Sequence, residues 1–402
     1  MQILVQKYGG TSMGGVDRID NVANRVIKSI KENTGLVVVV SAMSGKTDEL
    51  INHAKFFSNY PDLKEMDMLL SAGERVSAAL LAIALNAKGF SAISLSGQEA
   101  GIVTDTLHTR ARIINIDTKN IKALLHAGKI VVVAGFQGIS VNNETTTLGR
   151  GGSDLSAVAI AGALGASACE IYSDVDGIYT TDPRIVKNAK KIKQISYDEM
   201  LELASLGAKV LQTRSVEFAK KHNVNLIARS SFSNDSGTLI LDEEKVLERP
   251  VVRAIALDKN EALISLKGVL DRPGMAASIF KSLALNAINV DLIIQNISKN
   301  GTTNLDFTVP KGMINETKAA LKDFEKDVKE IEIKEDIAKV SVVGLGMKSH
   351  FGVASLAFEA MAKNNINILM IGTSEIKISM IIDLASAESA VIALHSAYKL
   401  DK

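Results

Sequence analysis

The segment GLVVVVSAMSGKTDEL, residues 35–50, sets an unbroken apolar run beside a polar turn that contains a lysine. Four consecutive valines are typical of a strand that is buried on both faces, as in parallel sheets. The turn, Ser-Gly-Lys-Thr, matches the second half of a phosphate-binding P-loop, but the complete motif needs a glycine five residues before Gly45. Val40 occupies that position. We therefore interpret residues 37–40 as a central strand that ends at Ser41, and Lys46 as a solvated loop residue.

The same strand pattern recurs along the first 240 residues and alternates with helical patterns. Apolar runs lie at 3–5, 36–40, 130–134, 168–172 and 224–228, and helical patterns lie at 17–31, 118–127, 154–164 and 208–221. This alternation predicts an α/β domain of three layers, in which a parallel-rich sheet is covered by helices on both faces. Ligands of such sheets bind beyond the carboxyl ends of the strands, so the segments that follow strands are the candidate sites.

The remaining third of the chain contains an internal repeat. A turn-rich cluster at 230–237 and a charged stretch at 242–250 predict a linker, so the first domain is assigned to residues 1–245. Beyond the linker, similar residues recur at an offset of 78, which aligns Gly274 with Gly352 and Phe280 with Phe358. A fixed offset predicts two copies of one α+β unit, at 262–335 and 338–402. A further strand at 251–257 could pair with either copy.

Composition excludes several classes of function. Lys and Arg number 46 and Asp and Glu number 45, so no bulk charge favours nucleic acid or an acidic membrane, and any anion site must come from local placement. Low aromatic content without Trp also disfavours binding of single-stranded nucleic acid. The single cysteine, Cys169, and the absence of a signal-peptide pattern make the cytoplasm the default location. The apolar window 69–87 is interrupted by charged residues and predicts a buried helix rather than a membrane span.

Three polar segments follow predicted strands. In KYGGTS, residues 7–12, two glycines let the backbone approach a phosphate and Lys7 supplies a positive charge, although strand–glycine turns of this kind are more often structural. In TTTLGRGGSDLSA, residues 145–157, helix N–H groups, a Ser hydroxyl and the Arg150 guanidinium converge in a way that suits a carboxylate or phosphate. The alternative is that Ser153 or Asp154 is a plain helix N-cap.

The third segment is YSDVDGIYTTDPR, residues 172–184. Its Asp-x-Asp-Gly fragment resembles a calcium loop, but such a loop needs Glu at the twelfth position, and Ile185 stands there. Asp174 and Asp176 can still face a nucleotide or its Mg²⁺. The alternative is a turn that is held by aspartate side chains.

These segments resemble the aspartokinase (aspartate kinase) family, as do SAGE (71–74), EMLELASLGAKVL (199–211) and TSEIKIS (373–379). The resemblance covers essentially the whole chain, in the family's order, and is to the short, monofunctional form. It implies an amino acid kinase fold followed by two ferredoxin-like ACT modules, in agreement with the repeat. It also implies transfer of the γ-phosphoryl group of ATP, used with Mg²⁺, to the side-chain carboxylate of L-aspartate, which gives 4-phospho-L-aspartate and begins lysine, threonine and methionine biosynthesis.

Chemistry constrains how such a reaction is catalysed. The aspartate carboxylate, with a pKa of about 4, is already ionised at neutral pH, so no general base is required. Catalysis then consists of positioning and of neutralising negative charge, which makes lysines and glycine-loop amides more important than any histidine.

The resemblance assigns roles residue by residue. Lys7, Gly9 and Gly10 would cradle the transferred phosphate, Lys209 would supply a second cation, and Asp154 would orient the lysines or the metal without a direct metal ligand in the chain. The nucleotide would be held by Ser41, Ser173, Asp174, Tyr179 and Arg184. Aspartate would bind Arg150 through its carboxylate, with help from Thr47 and Ser153, and Glu74 would receive its ammonium.

The repeat is where the resemblance places feedback regulation by lysine, threonine or both. The first copy would contribute Asp271, Gly274, Met275, Ala276, Asn289, Val290, Asp291 and Gln295, and the facing copy Val353, Ala354, Asn367, Ile368 and Ser374. Since one copy cannot easily close a ligand site alone, we expect modules to pair between subunits in at least a homodimer. The alternatives are another kinase of the same fold, acting on glutamate, N-acetylglutamate, carbamate or UMP, or a non-catalytic amino-acid sensor.

Overall fold

The computed structural model describes residues 1–207, 210–246, 250–297, 301–348 and 350–402, without the side chain of residue 348. The chain divides into two compact units. The first comprises Met1–Ile178, Lys191–Ser205 and Lys209–Glu248, and the second comprises Tyr179–Lys190, Leu206–Ala208 and Arg249–Lys402. The end of the third polar segment, together with the residues up to Lys190, is therefore part of the second unit, although the residues on either side of Tyr179–Lys190 belong to the first.

An eight-stranded sheet forms the centre of the first unit. The strands of this unit are β1 (Gln2–Tyr8), β2 (Thr34–Val40), β3 (Ala92–Leu95), β4 (Ile102–Thr104), β5 (Ile113–Ile116), β6 (Ile130–Ala134), β7 (Gln137–Ser140), β8 (Thr145–Thr147), β9 (Ala168–Ser173), β10 (Gln194–Ser196), β11 (Leu226–Ser230) and β12 (Thr238–Leu241). The order in the large sheet is β10-β12-β11-β9-β1-β2-β6-β3. Its pairs are parallel except for β11 with β12, so six neighbouring strands end at the same edge.

Helices cover both faces of this sheet. The helices of the first unit are α1 (Val16–Lys28), α2 (Lys46–Phe57), α3 (Leu63–Ala87), α4 (Lys119–His126), α5 (Gly152–Leu164), α6 (Tyr197–Ser205) and α7 (Thr213–His222). Alternation along β2 shows the layering: Val38 and Val40 join the apolar cluster of α1 and α3, whereas Val37 and Val39 are equally buried but lie outside that cluster. The predicted three-layer, parallel-rich architecture is confirmed.

Several boundaries differ from the sequence-based prediction. Helix α7 begins at Thr213, whereas the pattern placed a helix at 208–221, and β11 extends to Ser230. Helix α3 has 25 residues and a mean hydropathy of 1.6 over its most apolar window, enough by length and composition to cross a membrane, but half of that window is buried inside the protein. Its buried residues include two acidic side chains, Asp67 and Glu74.

A small four-stranded sheet, β5-β4-β7-β8, was not predicted at all. Its strands have only three or four residues and mix Ile and Thr with other polar residues, so they show neither a long apolar run nor clear alternation. Strand β8 carries the chain directly into the turn before α5, and it thereby fixes the start of the Arg150 segment.

The second unit contains two small sheets with helices. Its strands are β13 (Ala254–Asp258), β14 (Glu261–Leu270), β15 (Ile293–Gln295), β16 (Thr302–Pro310), β17 (Glu330–Lys334), β18 (Ile337–Val343), β19 (Ile368–Thr373) and β20 (Lys377–Asp383), and its helices are α8 (Met275–Leu285), α9 (Ile314–Leu321), α10 (Val353–Lys363) and α11 (Ala387–Ala397). The sheet orders are β15-β16-β14-β17 and β13-β18-β20-β19, so β13 pairs with the second copy.

The repeat is visible in three dimensions. Helix α10 starts and ends 78 residues after α8, and the N-cap residues Gly274 and Gly352 share a left-handed conformation, with φ of 92° and 86°. The Tyr179–Lys190 segment joins the core of the second copy, where Val186 lies among buried residues of β13, β18 and α11. Thr180 also bonds to Nε2 of the buried His395 at 2.9 Å.

Candidate active site

The carboxyl ends of β1, β2, β6 and β9 meet at one edge of the large sheet. Three backbone bonds join the segments that follow them: Gly9 N–H donates to Tyr172 O (3.1 Å), Ser41 N–H to Tyr8 O (3.0 Å) and Gly135 N–H to Val40 O (3.1 Å). The predicted phosphate turn, the Ser41 segment and the end of β9 therefore lie side by side. This is the edge at which parallel α/β sheets bind ligands.

Glycine allows the turn after β1 to approach its neighbour. A Cβ at Gly10 would lie 3.1 Å from the carbonyl oxygen of Ala42, closer than most real contacts of this kind. Gly73 has a similar role in α3, since its Cβ would be 2.8 Å from Cβ of Ala42. Ala42 thus lies between the glycine turn and α3, and it brings Glu74 to the same edge.

Lys7 and Asp154 form an ion pair across this edge. The distance from Nζ of Lys7 to Oδ1 of Asp154 is 2.5 Å, and the two side chains are only 10% and 12% exposed. The N-cap of α5 is Gly151 in a left-handed conformation, and no side chain caps the helix. Asp154 is therefore not the plain N-cap of the alternative interpretation. It is an anchor for the lysine at the end of β1.

Glu74 is a buried carboxylate that is only half satisfied. Its Oε1 accepts a hydrogen bond from the Ala42 N–H at 3.0 Å, while its buried Oε2 has no partner among the residues that the structure describes. Burial raises the pKa of Glu74 to about 7, against the lowering effects of the Ala42 N–H and the nearby Lys7. A positively charged ligand group at Oε2 would satisfy this atom and favour the ionised form.

The other residues predicted to bind aspartate are near Asp154 or Ala42 in the sequence. Arg150 is exposed, and its guanidinium forms no hydrogen bond or ion pair with any described residue, while its carbonyl accepts from Gln212 Nε2 at 2.6 Å. Ser153 is buried, and its Cβ would lie 3.0 Å from a Cβ placed on Gly135. Thr47 is half-buried in the first turn of α2.

Lys46, the lysine of the incomplete P-loop, points elsewhere. Its Nζ pairs with Glu49 at 2.7 Å, and the two side chains are 42% and 48% exposed. The pair lies on the first turn of α2, a helix without buried residues. This agrees with the interpretation of Lys46 as a solvated residue.

The predicted nucleotide residues are divided between the two units. In the first unit, Ser173 ends β9 half-buried and the exposed Asp174 follows it. Tyr179 and Arg184 belong to the second unit, where the Arg184 guanidinium donates to both carboxylate oxygens of Asp182. Lys209, the predicted second cation, lies outside the described residues.

A cavity of about 460 Å³ opens in the first repeat copy. Five of the predicted effector residues line it: Asp271, Gly274, Met275, Ala276 and Gln295. Gly274 places the N-terminus of α8 at this cavity, where free N–H groups favour an anion. Asn289, Val290 and Asp291 are not among its lining residues, so the structure brings together only part of the predicted set.

Asp291 has a different neighbour. Its carboxylate pairs with Lys339 of β18, whose Nζ also lies 3.1 Å from Glu261 of β14. Lys339 belongs to the second repeat copy and its two partners belong to the first, so this network joins the copies. The Lys339 side chain is only 1% exposed. The residues predicted in the second copy lie at the start of α10 (Val353, Ala354), before or within β19 (Asn367, Ile368) and in the turn after it (Ser374).

Comparison with known proteins decides the family. The model of the amino acid kinase family matches residues 2–229, and the ACT domain model matches 264–323 and 340–398. The aspartokinase of Helicobacter pylori strain J99 is 59% identical over the full length of both chains. The chain belongs to the aspartokinase family. The aspartate kinase of Pseudomonas putida KT2440 is 48% identical and matches all of this chain and 98% of its own.

Solved aspartokinase structures have the same fold. Escherichia coli aspartokinase III in complex with aspartate and ADP is 28% identical, with a TM-score of 0.81 and coverage of 98% of this chain and 99% of that one. The same protein in complex with lysine and aspartate has a TM-score of 0.79. The predicted amino acid kinase fold followed by two ACT modules is therefore confirmed, and the chain is a kinase.

One residue of this aspartokinase was missed by sequence reasoning. Asp67 is fully buried in α3 and accepts hydrogen bonds from the Thr147 hydroxyl at 2.5 Å and from the Thr109 N–H at 3.0 Å, with His108 Nδ1 at 2.8 Å. It therefore fixes the end of β8, three residues before Arg150. An available signal was its position seven residues before Glu74, on the same face of one helix.

Proposed function

We propose that this aspartokinase transfers the γ-phosphoryl group of ATP to the side-chain carboxylate of L-aspartate and yields 4-phospho-L-aspartate. The observation that carries the proposal is the position of Glu74 Oε2, a buried carboxylate oxygen without a partner among the described residues. Lys7 is close enough for its charge to lower the pKa of Glu74. A carboxylate that can accept an ammonium and a cation that can bind a phosphate are therefore neighbours. A substrate that carries both an amino group and a phosphorylatable carboxylate fits this pair.

Lys7 acts on the transferred phosphate. In the proposed mechanism its ammonium, held by Asp154, neutralises charge on the phosphoryl oxygens while Gly9 and Gly10 let backbone amides approach them. The attacking carboxylate needs no base, so no proton has to move. Asp154 keeps the lysine in place before the substrates bind.

Glu74, Arg150, Thr47 and Ser153 would hold L-aspartate. Glu74 receives the ammonium and becomes fully ionised as it does so. The exposed Arg150 guanidinium is available to bind the α-carboxylate through two parallel hydrogen bonds, an arrangement that lysine cannot reproduce. The Thr47 and Ser153 hydroxyls add hydrogen bonds that set the orientation of the substrate.

Ser41, Ser173 and Asp174 are proposed to contact the nucleotide, together with Tyr179, Arg184 and Lys209. Mg²⁺ is expected with ATP, where it screens the phosphate charge, and no residue of this chain is assigned to it directly. The reaction would open the biosynthesis of lysine, threonine and methionine.

The ACT modules are proposed to bind lysine, threonine or both as feedback inhibitors. An effector carboxylate would bind at the N-terminus of α8 and its ammonium at Asp271, within the 460 Å³ cavity. The Escherichia coli relative that was solved with lysine supports lysine as one effector. Closure of this site by a second subunit would make the enzyme at least a homodimer.

The experiment is an assay of purified protein with Mg²⁺ATP, aspartate and hydroxylamine, which traps an acyl phosphate as the hydroxamate. We expect aspartyl hydroxamate from the wild type and almost none from Lys7→Ala, with Lys46→Ala as the matched control that stays active. Product from glutamate instead of aspartate would assign another kinase of the same fold. No product above the Lys7→Ala level, with retained binding of amino acids, would assign a sensor.

A further inference from the structure

A groove of about 860 Å³ lies beside α1, within the first unit. One wall is α1, where Arg18, Asn21, Arg25 and Lys28 recur at spacings of three and four residues and form one stripe about 15 Å long. The other wall is formed by side chains of β9 and β11 and of the loop that follows β11, including Arg229, Phe232 and the buried Tyr172. None of the residues proposed for phosphoryl transfer or for aspartate lines this groove.

The groove carries a concentration of positive charge that the balanced composition of the chain hides. Five cationic side chains line it (Arg18, Arg25, Lys28, Lys31 and Arg229) against one carboxylate, Glu170. Glu170 is already occupied: it accepts from Arg229 at 2.6 Å, from Gln6 at 2.8 Å and from the Tyr172 hydroxyl at 3.0 Å. Four cations therefore remain without a carboxylate from the groove.

The two arginines of α1 are held in place without being neutralised. Arg18 donates to the Thr11 carbonyl and lies 5.4 Å from the centroid of the Phe232 ring. Arg25 donates to the Ser233 carbonyl at 2.8 Å and lies 5.4 Å from the centroid of the Tyr172 ring. Carbonyl and aromatic partners orient a guanidinium but leave its full charge, which is how a preorganised anion site is built.

Two lysines lie at the far end of the groove: Lys28 ends the stripe and Lys31 follows α1. Neither Lys28 nor Lys31 forms a side-chain hydrogen bond or ion pair with any described residue. By contrast, the nearby Lys88 pairs with Asp20 at 2.8 Å on another side of α1. Unpaired like charges on one concave surface repel one another and concentrate a field that a bound anion would relieve.

We propose that this groove is a second anion site of the enzyme, which binds an extended small molecule with several phosphoryl groups. Oriented guanidinium forks suit phosphoryl oxygens, and the 15 Å stripe suits a chain of them rather than a single phosphate. Phe232 is 57% exposed at the groove and offers a ring face to a base. The ligand chemistry is thus that of a free polyphosphate or of a nucleotide polyphosphate.

The groove also adjoins the catalytic edge through one hydrogen-bond chain. Ser12, which lines the groove and follows the phosphate turn, lies 2.8 Å from Ser231 between hydroxyl oxygens, and Ser231 donates to the Ser173 carbonyl at 3.1 Å. A ligand in the groove would therefore contact residues that are bonded to a proposed nucleotide residue. Through these hydrogen bonds, binding in the groove can change the rate of the kinase reaction.

The test is calorimetric titration of the full chain with inorganic tripolyphosphate. Lys28→Ala/Lys31→Ala should weaken one class of site by about tenfold or more, because two cationic contacts to the phosphoryl oxygens are lost. The control, Lys119→Ala/Lys122→Ala, removes two exposed lysines of α4 and should leave that class unchanged. Arg25→Lys keeps the charge but loses the fork and should also weaken binding. If the lysine double variant binds tripolyphosphate as the wild type does, the proposal is wrong.

Further ligands identify the chemistry. The assignment would be wrong if citrate binds as tightly as tripolyphosphate. It would also be wrong if polyglutamate or an oligonucleotide binds more tightly. If a nucleoside triphosphate binds more tightly than tripolyphosphate, and this difference in affinity is lost in Phe232→Ala, the ligand is a nucleotide. If the two bind equally tightly, the ligand is free polyphosphate. Hydroxamate formation is read separately in the same variants. Groove binding without hydroxamate would therefore refute the proposed function and leave this site standing.

Discussion

Nζ of Lys7 lies 2.5 Å from Oδ1 of Asp154, and this contact joins the end of β1 to the first turn of α5. Both side chains are nearly buried, so the loss of either partner leaves the other as an uncompensated charge. The pair positions a cation at the strand edge where the glycine turn approaches its neighbours. It therefore connects the fold of the first unit with the proposed handling of phosphate.

Replacement of Lys7 should lower kcat strongly, whereas replacement of Lys46 should have little effect. Lys7→Ala is expected to lower kcat by about 10²–10³-fold, the usual cost of removing one preorganised charge-stabilising group. Lys46→Ala removes an equal charge from an exposed ion pair and should leave kcat largely intact. The measurement is hydroxamate formation at saturating ATP and aspartate. An equal loss in both variants would reopen the P-loop interpretation of residues 44–47.

The fold was largely predictable because its strands are continuous apolar runs. The four valines of β2 and the run at 130–134 are typical of buried strands, and the 78-residue offset revealed two copies of one α+β unit, which the family resemblance identified as ACT modules. The β4, β5, β7 and β8 sheet was not predicted because strands of three or four residues are too short to show a periodic signal. The inclusion of Tyr179–Lys190 in the second unit also escaped, since packing of Val186 against β13 depends on distant residues.

The affinity for aspartate should depend on pH through Glu74. Burial raises the pKa of this carboxyl to about 7, so the free enzyme below pH 7 holds it protonated and unable to attract an ammonium. KM for aspartate should therefore fall as pH rises from 6 to 8. In Glu74→Gln it should be high and nearly constant over the same range. The measurement is KM for aspartate at each pH, with KM for ATP as the internal control.

The same carboxyl should lower stability at high pH. Its pKa is 4.5 in model peptides and about 7 in the folded protein, so protonation favours folding. This contribution is complete below pH 4.5 and is lost as pH rises through 7. Glu74→Gln should consequently be more stable than the wild type at pH 8, by roughly 1–3 kcal/mol, and about equal to it at pH 5. Urea unfolding at the two pH values tests the sign, and a less stable variant at pH 8 would contradict it.

Arg150 should act on aspartate and not on ATP. Arg150→Ala is expected to raise KM for aspartate about 10²-fold, and Arg150→Lys should recover only part of this because the fork is lost. Stability should change little, since the guanidinium has no partner among the described residues. Thr47→Ala should raise the same KM more modestly. A rise in KM for ATP alone would move Arg150 to the nucleotide site.

The site was harder to predict than the fold because its geometry depends on tertiary contacts. The residue types at Lys7, Arg150 and Asp154 indicated anion chemistry, but the ion pair between β1 and α5 joins residues that are far apart in sequence. The role of Ala42 as the donor to Glu74 has no sequence signal at all, since any residue supplies that N–H. The groove beside α1 was not predicted, because the β9 and β11 side chains that complete it meet α1 only in the folded chain.

Feedback should depend on the cavity of the first ACT module. Asp271→Asn removes the charge proposed for the effector ammonium and should raise the concentration of lysine or threonine needed for half-inhibition by about tenfold or more. The uninhibited kcat should stay as in the wild type. Asp323→Asn, an exposed change in the same module, is the control. Unchanged inhibition by both amino acids in Asp271→Asn would place the effector elsewhere.

Lys339 should hold the two ACT modules together as a buried charge. Burial alone would lower the pKa of its ammonium, but Glu261 and Asp291 raise it, while burial raises the pKa of Glu261. Lys339→Met leaves two carboxylates without their cation, which typically costs about 3–5 kcal/mol. The loss should be larger at pH 8 than at pH 5, because Glu261 can accept a proton at low pH and thereby remove the unpaired charge.

The midpoint of thermal unfolding of the second unit measures this loss of stability. Lys339→Met/Glu261→Gln should restore part of the stability at pH 8. If the single and double variants are equally unstable at both pH values, the loss comes from packing of the lysine stem and not from its charge.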